Sequence, residues 1–557
     1  MPDKGIMIEL RVDMGRIKQV APLYEETIVV GSGAHTTIVA PADKEYARLA
    51  ALVQEAIAAR TGAELPVVEA EQFSTSSAPR GTVIAIGHAA NHPLLRRLHD
   101  QKHLGDGDYP DDGSAVLSVH NPYGDGHNVL CALGANPGVA RRSVEVLLAQ
   151  LVERDGALLA PGPILAREPI PQTPDPAELN LERNSDESGF SGRPSSFLQA
   201  LEHVCKAGEE RWARRFIEAV TPFATGEIPL SFWLMSAVDF WTERLVIAWD
   251  RVEQLPLFSD DERLLVINFI ASCTEYSHDS ITYQKWRLVD EDYQVFNHHT
   301  FPSRSLYFGA SYLQRHGYAL PELEGWIDKA LAVFARASRA GRSFDEGGAG
   351  YSWLVGNHLL DVSMAEGDTS YVESEKIVHY ADLAACILNN RRQLVPFGDC
   401  GGYHSSPTGA ANVLLRAAEW HRDGSYRWLA EQTSPDGRCN DIFTRDLVSE
   451  EPQKHVGLFV LSMDPIIHHW AGQPHFPNYP APPLAPNVPP EQGFDKLSLR
   501  GGWGEDDDYL LLQGFGEGQH GHPDANAISQ YQVRGRLFLA ESDYILRWPK
   551  QHNMIMV

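Results

Sequence analysis

The sequence predicts a multidomain chain that mixes α and β structure, with a small α/β unit, a long all-helical middle and an antiparallel sheet at the end. Three observations predict it. Short β-rich runs flank a helix-periodic segment near the start. From about Phe197 to Trp470 the apolar residues recur at helical spacing with no strand pattern between them. After a proline-dense stretch, short apolar runs then alternate with Gly and Asp turns. At 557 residues the chain exceeds the roughly 250–300 residues that one core can serve, so two or three domains are expected.

In the first part, "TIVVG" and "GTVIAIG" read as strands on either side of "DKEYARLAALVQEAIAARTG". There Leu49, Leu52, Val53 and Ile57 fall on one helical face and Gly62 sits where a C-cap belongs. "GSGAHT" lacks both the third glycine of a dinucleotide fingerprint and the lysine of a phosphate loop, so Gly31 and Gly33 read as turn glycines. The proline-rich "PGPILAREPIPQTPDPAEL" marks a boundary near residues 161–190.

Segments such as "FLQALEHVCKAGEERWARRFIEAV", "ERLLVINFIASCTEY" and "KIVHYADLAACILNNRRQL" follow, separated by Gly/Pro/Asp loops. Helices in series without strands imply a bundle, a solenoid or a closed toroid. The linker "PHFPNYPAPPLAPNVPPEQG" ends them, and an antiparallel sheet is expected from about Phe494. The expected domains are therefore residues 1–165, 190–472 and 492–557.

With 43% apolar and 22% charged residues, the composition is that of a globular protein without a membrane-spanning run. A formal charge of −27 argues against nucleic-acid and anionic-membrane partners, and a polyanionic substrate would need a local basic pocket. The six cysteines are scattered with no C-x-x-C pair, which argues against a disulfide framework or a thiolate zinc site. No signal peptide is visible, which makes the cytoplasm the default compartment.

Three clusters hold chemistry-bearing residues. They are "FNHHTFPSR" (Asn297, His298, His299, Arg304), "FDEGGAGYSW" (Asp345, Glu346, Tyr351) and "GEGQHGHPDANAISQY" (His520, His522, Asp524). In an extended strand residues i, i+2 and i+4 share a face, so the last three would line one surface; the alternative is a polar turn broken by Pro523. Asn297 and the histidines alone could be surface polar groups, and Tyr351 a packing aromatic.

Together, in this order, these clusters resemble the heparinase II/III-like polysaccharide lyases, including their exo-acting alginate lyase relatives. The resemblance covers about residues 190–557 and rests chiefly on "DDYLLLQGFGEGQHGHPDANAISQY" and on a "D-E-G-x-x-Y" type loop about 54 residues after Asn297. It implies a central (α/α) toroid and a C-terminal β-sandwich. It also implies β-elimination on a uronic-acid-containing poly- or oligosaccharide. The N-terminal unit is similar instead to the small α/β domain that precedes the barrel in some hexosaminidases and glucuronidases.

The resemblance implies a role for each group. Removing a proton alpha to a carboxylate generates a dianion that aimed donors must neutralise, and Asn297, with His298 or Arg304 beside it, can supply them. Tyr351 and His520 would divide the two proton transfers, and Glu346 would contact substrate. His522, Glu541 and His552 would hold one divalent metal, zinc by their ligand chemistry, although the family more usually has Asp at the place of Glu541 and Asp543 competes with it. The resemblance makes periplasmic or secreted placement the alternative to the cytoplasm.

Two other readings compete. A glycoside hydrolase on the same helical scaffold would use Glu346 and Asp399, and a non-catalytic carbohydrate-binding protein would stack sugars on Trp353, Tyr403 and Trp470. About 64 residues run from Phe494 to Val557, fewer than the ~100 of a two-sheet sandwich. An incomplete sandwich is therefore expected, with an open sheet edge and homo-oligomeric association through it.

Overall fold

The computed structural model describes residues 10–23, 26–73, 81–181, 193–228, 230, 238–283, 295–343, 350–398, 407–434, 441–471, 489, 492–514, 525–541 and 553. It divides into two compact units, residues 1–280 with 304–329 and residues 281–303 with 330–557.

In the first unit, a six-stranded sheet has the order Val67–Glu69, Thr36–Ala40, Thr82–Gly87, Val129–Leu133, Ser114–Val119, Leu165–Glu168. The first four strands are parallel and the last two pair antiparallel. Thr82–Gly87 and Val129–Leu133 are buried at every position, as parallel strands covered on both faces must be. The helix Lys44–Thr61 lies against them with Val53 and Ile57 fully buried, starts at an Asp43 side-chain cap and stops at Gly62, whose φ of 72° a side chain would disfavour.

Two sequence expectations change here. The run "TIVVG" forms the strand Thr27–Val30, but it pairs with Ala157–Ala160 in a separate three-stranded sheet, and Thr82–Gly87 pairs in parallel with Thr36–Ala40 and Val129–Leu133. Within the proline-rich connector, Leu165–Glu168 is the edge strand of the large sheet. Prolines are tolerated beside such an edge because its outer N–H groups need no ladder partner.

Polar contacts join this α/β part to the helices of the same unit. The segment before the first strand lies along the helix Asp260–Tyr283, where Asn268 exchanges two hydrogen bonds with the backbone of Ile17 (2.8 and 3.0 Å). Asp250, on the helix Thr242–Val252, accepts from both terminal guanidinium nitrogens of Arg315 and meets the rings of His103 and His316. Burial alone would raise its carboxyl, but these partners hold it well below the usual carboxylate range.

In the second unit, Ser352–Glu366, Glu375–Ile387, Ala411–His421 and Gly424–Thr433 continue the helical series. An antiparallel five-stranded meander follows, in the order Gly457–Ser462, Phe494–Arg500, Tyr509–Gln513, Ile528–Val533, Arg536–Ala540. Its first strand precedes the proline-dense linker, in a stretch that helical periodicity had assigned to the helices. Short apolar runs do not distinguish the two states by period alone.

The faces of this meander are inverted relative to simple amphipathicity. Lys496, Ser498, Arg500, Gln513, Gln530 and Gln532 are buried, whereas Leu458, Val460, Leu499 and Phe538 are 48–64% exposed. The inner face is polar because it meets the end of a helix. Arg500 donates to the carbonyls of Leu388 (2.6 Å) and Ala385 (3.4 Å), and the Tyr509 hydroxyl donates to that of Cys386 (2.7 Å), which satisfies carbonyls that the helix Glu375–Ile387 leaves open. No helix among the described residues is long and apolar enough to cross a membrane.

Candidate active site

Asn297 opens the helix Asn297–Arg315 and is 3% exposed. The helix start is shaped by its neighbours. The amides of His299 and Thr300 donate to the carbonyl of Phe296 (2.9 and 3.2 Å), and the amide of Phe296 donates back to Nδ1 of His299 (3.3 Å). That reciprocal pairing, with the His299 ring edge-on to Phe296 at 4.2 Å, gives His299 a structural role. His298 is half-buried, its ring 5.7 Å from that of Phe296.

Tyr351 immediately precedes the helix Ser352–Glu366 and is half-buried. Asn297 and Tyr351 thus both stand at helix N-termini, where the positive end of the helix dipole favours an anion. The two helices are joined by a hydrogen bond of 2.8 Å between the hydroxyl of Thr300 and Nδ1 of His358, both buried. The ring of His358 also packs edge-on to Phe301 at 4.3 Å.

A second connection runs to the C-terminal sheet. The hydroxyl of Ser343 donates to the carbonyl of Val295 (3.1 Å), two residues before Asn297. Next to it, Arg342 makes a two-pronged pair with Asp495 (2.7 Å for each prong), and Lys496 reaches the same carboxylate at 2.7 Å. All three charged groups are buried. Burial would raise the Asp495 carboxyl, but Arg342 and Lys496 hold it well below the ordinary range. Neither Thr300, His358, Arg342 nor Asp495 stood out in the sequence, although the charges inside "FDKLSLR" were a signal that this strand faces charged partners.

Arg304 lies on the same helix as Asn297, where its guanidinium bonds Glu243 at 2.9 Å. Glu243, not a site residue in the sequence reading, therefore compensates the charge that was expected to meet substrate. Trp353 is corrected outright as a sugar platform. It is 1% exposed and stacks on Tyr380 at 5.3 Å and 20°, a core contact, and the ring of Tyr380 fits only because Gly356 has no Cβ.

Glu541 is 4% exposed and its carboxylate accepts the amide of Asn553 at 2.9 Å. Among the described residues no group of three or more metal-ligating side chains comes together. Glu346, His520, His522 and His552 lie outside the described residues, as do Asp345, Asp399, Tyr403, Asp524 and Asp543. The side chain of Trp470 is likewise not described.

No family model matches the chain, and no curated protein matches it. Among solved structures it is similar to a heparinase III, with 12% identity and a TM-score of 0.43 over 91% of this chain and 66% of that one. It is similar to a heparinase III described as the BT4657 gene product, with 12% identity and a TM-score of 0.38 over 67% and 57%. A mutant of the heparan sulfate lyase HepC from Pedobacter heparinus matches with 14% identity and a TM-score of 0.38 over 64% and 51%, so this chain spans about half of that structure's length.

Proposed function

We propose that the chain is a polysaccharide lyase that cleaves a uronic-acid-containing poly- or oligosaccharide by β-elimination. One observation carries the reading: an amide donor, Asn297, and a phenol, Tyr351, each stand at the start of a helix, and a buried Thr300–His358 bond ties those helices together. In the reaction the C5–H bond and the C4–O bond break, a C4=C5 double bond forms, and the departing sugar oxygen takes a proton. Asn297 would donate to the uronate carboxylate as charge develops on it, aided by the positive end of the helix dipole. Tyr351 and His520 would share the removal of the C5 proton and the protonation of the leaving oxygen.

His298 and Glu346 would contact the sugar, and Arg304 would bind a carboxylate only by exchanging Glu243 for it. His522, Glu541 and His552 would hold one divalent metal, zinc by its preference for imidazole and carboxylate ligands, and its contribution would be to brace the sheet. The contact between Glu541 and Asn553, the neighbour of His552, fits that donor set.

The test is a screen of alginate, heparan sulfate and hyaluronan for the ultraviolet absorbance of unsaturated uronate products. With an active substrate, Tyr351→Phe and His520→Ala should each lower kcat by about 10²–10⁴, and Asn297→Ala by roughly 10²–10³. Normal turnover in Tyr351→Phe, with loss in Glu346→Gln or Asp399→Asn and no absorbing product, would replace the lyase with the hydrolase.

A further inference from the structure

A pocket of about 650 Å³ in the second unit is lined, among the described residues, by none of those proposed for elimination. One wall is the turn Asn389–Gln393, which carries Arg391 and Arg392 at its tip, both exposed. The turn is built rather than loose. The Oδ1 of Asn389 accepts from the amides of Arg391 and Gln393 (2.9 and 3.0 Å), its Nδ2 donates to Gln530 (3.1 Å), and Leu388 bridges Leu394 behind it. Among the described residues neither guanidinium has a hydrogen-bonding or ion-pairing partner, although the chain carries a formal charge of −27.

The rest of the lining is largely aromatic and amide. Trp428 and Gln432 lie one turn apart on the helix Gly424–Thr433, and Trp503 stands edge-on to Trp428 at 5.3 Å. Trp503 is held in place, since its indole N–H donates to Pro452 (3.2 Å) and the buried guanidinium of Arg500 lies 3.6 Å from its ring centroid. Glu505 is the one acidic side chain among the described lining residues.

Indole surfaces beside amide groups suit the C–H faces and hydroxyls of a pyranose, and two uncompensated guanidinium groups suit a carboxylate or sulfate upon it. We propose that this pocket is a non-catalytic binding site for an anionic saccharide, with Trp428 and Trp503 as the sugar platform and Arg391 and Arg392 as the anion clamp. It does not depend on the elimination chemistry, because its described lining shares no residue with it. A long acidic chain held here would remain attached to the protein between catalytic events.

Isothermal titration of the full chain with an alginate-derived hexauronate, a heparin-derived hexasaccharide and cellohexaose tests the assignment. One or both anionic probes should bind, which tells carboxylate from sulfate recognition, and cellohexaose should bind at least tenfold more weakly. The double variant Arg391→Ala/Arg392→Ala has no partner among the described residues to lose and should keep its melting temperature while weakening anionic binding tenfold or more. Trp428→Phe should weaken it as well. Turnover of a short soluble substrate should be unchanged in the arginine variant. Binding of the anionic probes that is unaltered in the double variant, equal binding of cellohexaose, or no binding of any probe would each overturn the proposal.

Discussion

The hydroxyl of Thr300 and Nδ1 of His358 lie 2.8 Å apart, which joins the helix that Asn297 opens to the helix that Tyr351 precedes. Both groups are buried, so neither can exchange its partner for water.

Thr300→Val keeps the shape and removes the hydroxyl, leaving Nδ1 of His358 buried without it. The expected cost is about 1–3 kcal/mol of stability, measured by denaturant unfolding. Thr300→Ser should recover most of it. A Thr300→Val chain as stable as the parent would show that the bond contributes nothing net.

Breaking the buried group of Arg342, Asp495 and Lys496 should be far more costly. Asp495→Ala leaves two buried cations and is expected to lose about 3–5 kcal/mol. The sign with pH follows from the direction of the shift. The folded carboxyl is depressed below its unfolded value, so its contribution is complete above the ordinary Asp range and is lost as pH falls through the folded value. The parent should therefore lose stability on acidification more steeply than Asp495→Asn does, as read by melting temperature against pH.

Asp239 gives the opposite slope. Burial raises its carboxyl to about 7, against the pull of its hydrogen bonds from Ser280 and Ser277. The folded state then holds a proton that the unfolded state releases, so stability falls as pH rises from the ordinary Asp range through about 7 and levels off above it. Asp239→Asn removes that loss. Its melting temperature should gain on the parent with increasing pH over this window, and a constant difference would refute the shift.

The outer face of the C-terminal meander carries Leu458, Val460, Leu499 and Phe538, an apolar patch of the kind that drives association. Leu499→Lys with Phe538→Lys should reduce binding of an environment-sensitive dye and any self-association seen by sedimentation, with little change in melting temperature. An unaltered sedimentation profile and dye signal would mean that this face is covered in solution.

Local pattern by itself determined the α/β start, the helical series and the C-terminal strands, because helical spacing, alternation and Gly/Pro punctuation act within a few residues of each other. It also singled out Asn297 and Tyr351. Which sheet a strand joins was a different matter, since Thr27–Val30 and Thr36–Ala40 carry similar β-rich sequences and only long-range pairing separates them. The same holds for the meander, where alternation shows that two faces exist but not which one is buried. Tertiary structure turned Lys496 and Arg500 inward because Asp495 and the open carbonyls of a helix end wait there for donors. Tertiary structure alone also decided that Trp353 is core, that Arg304 has Glu243 for a partner, and that Thr300 meets His358, 58 residues away. Hydrogen bonds and ion pairs between distant residues leave no periodic trace in a sequence, so their partners appear only when the chain is folded.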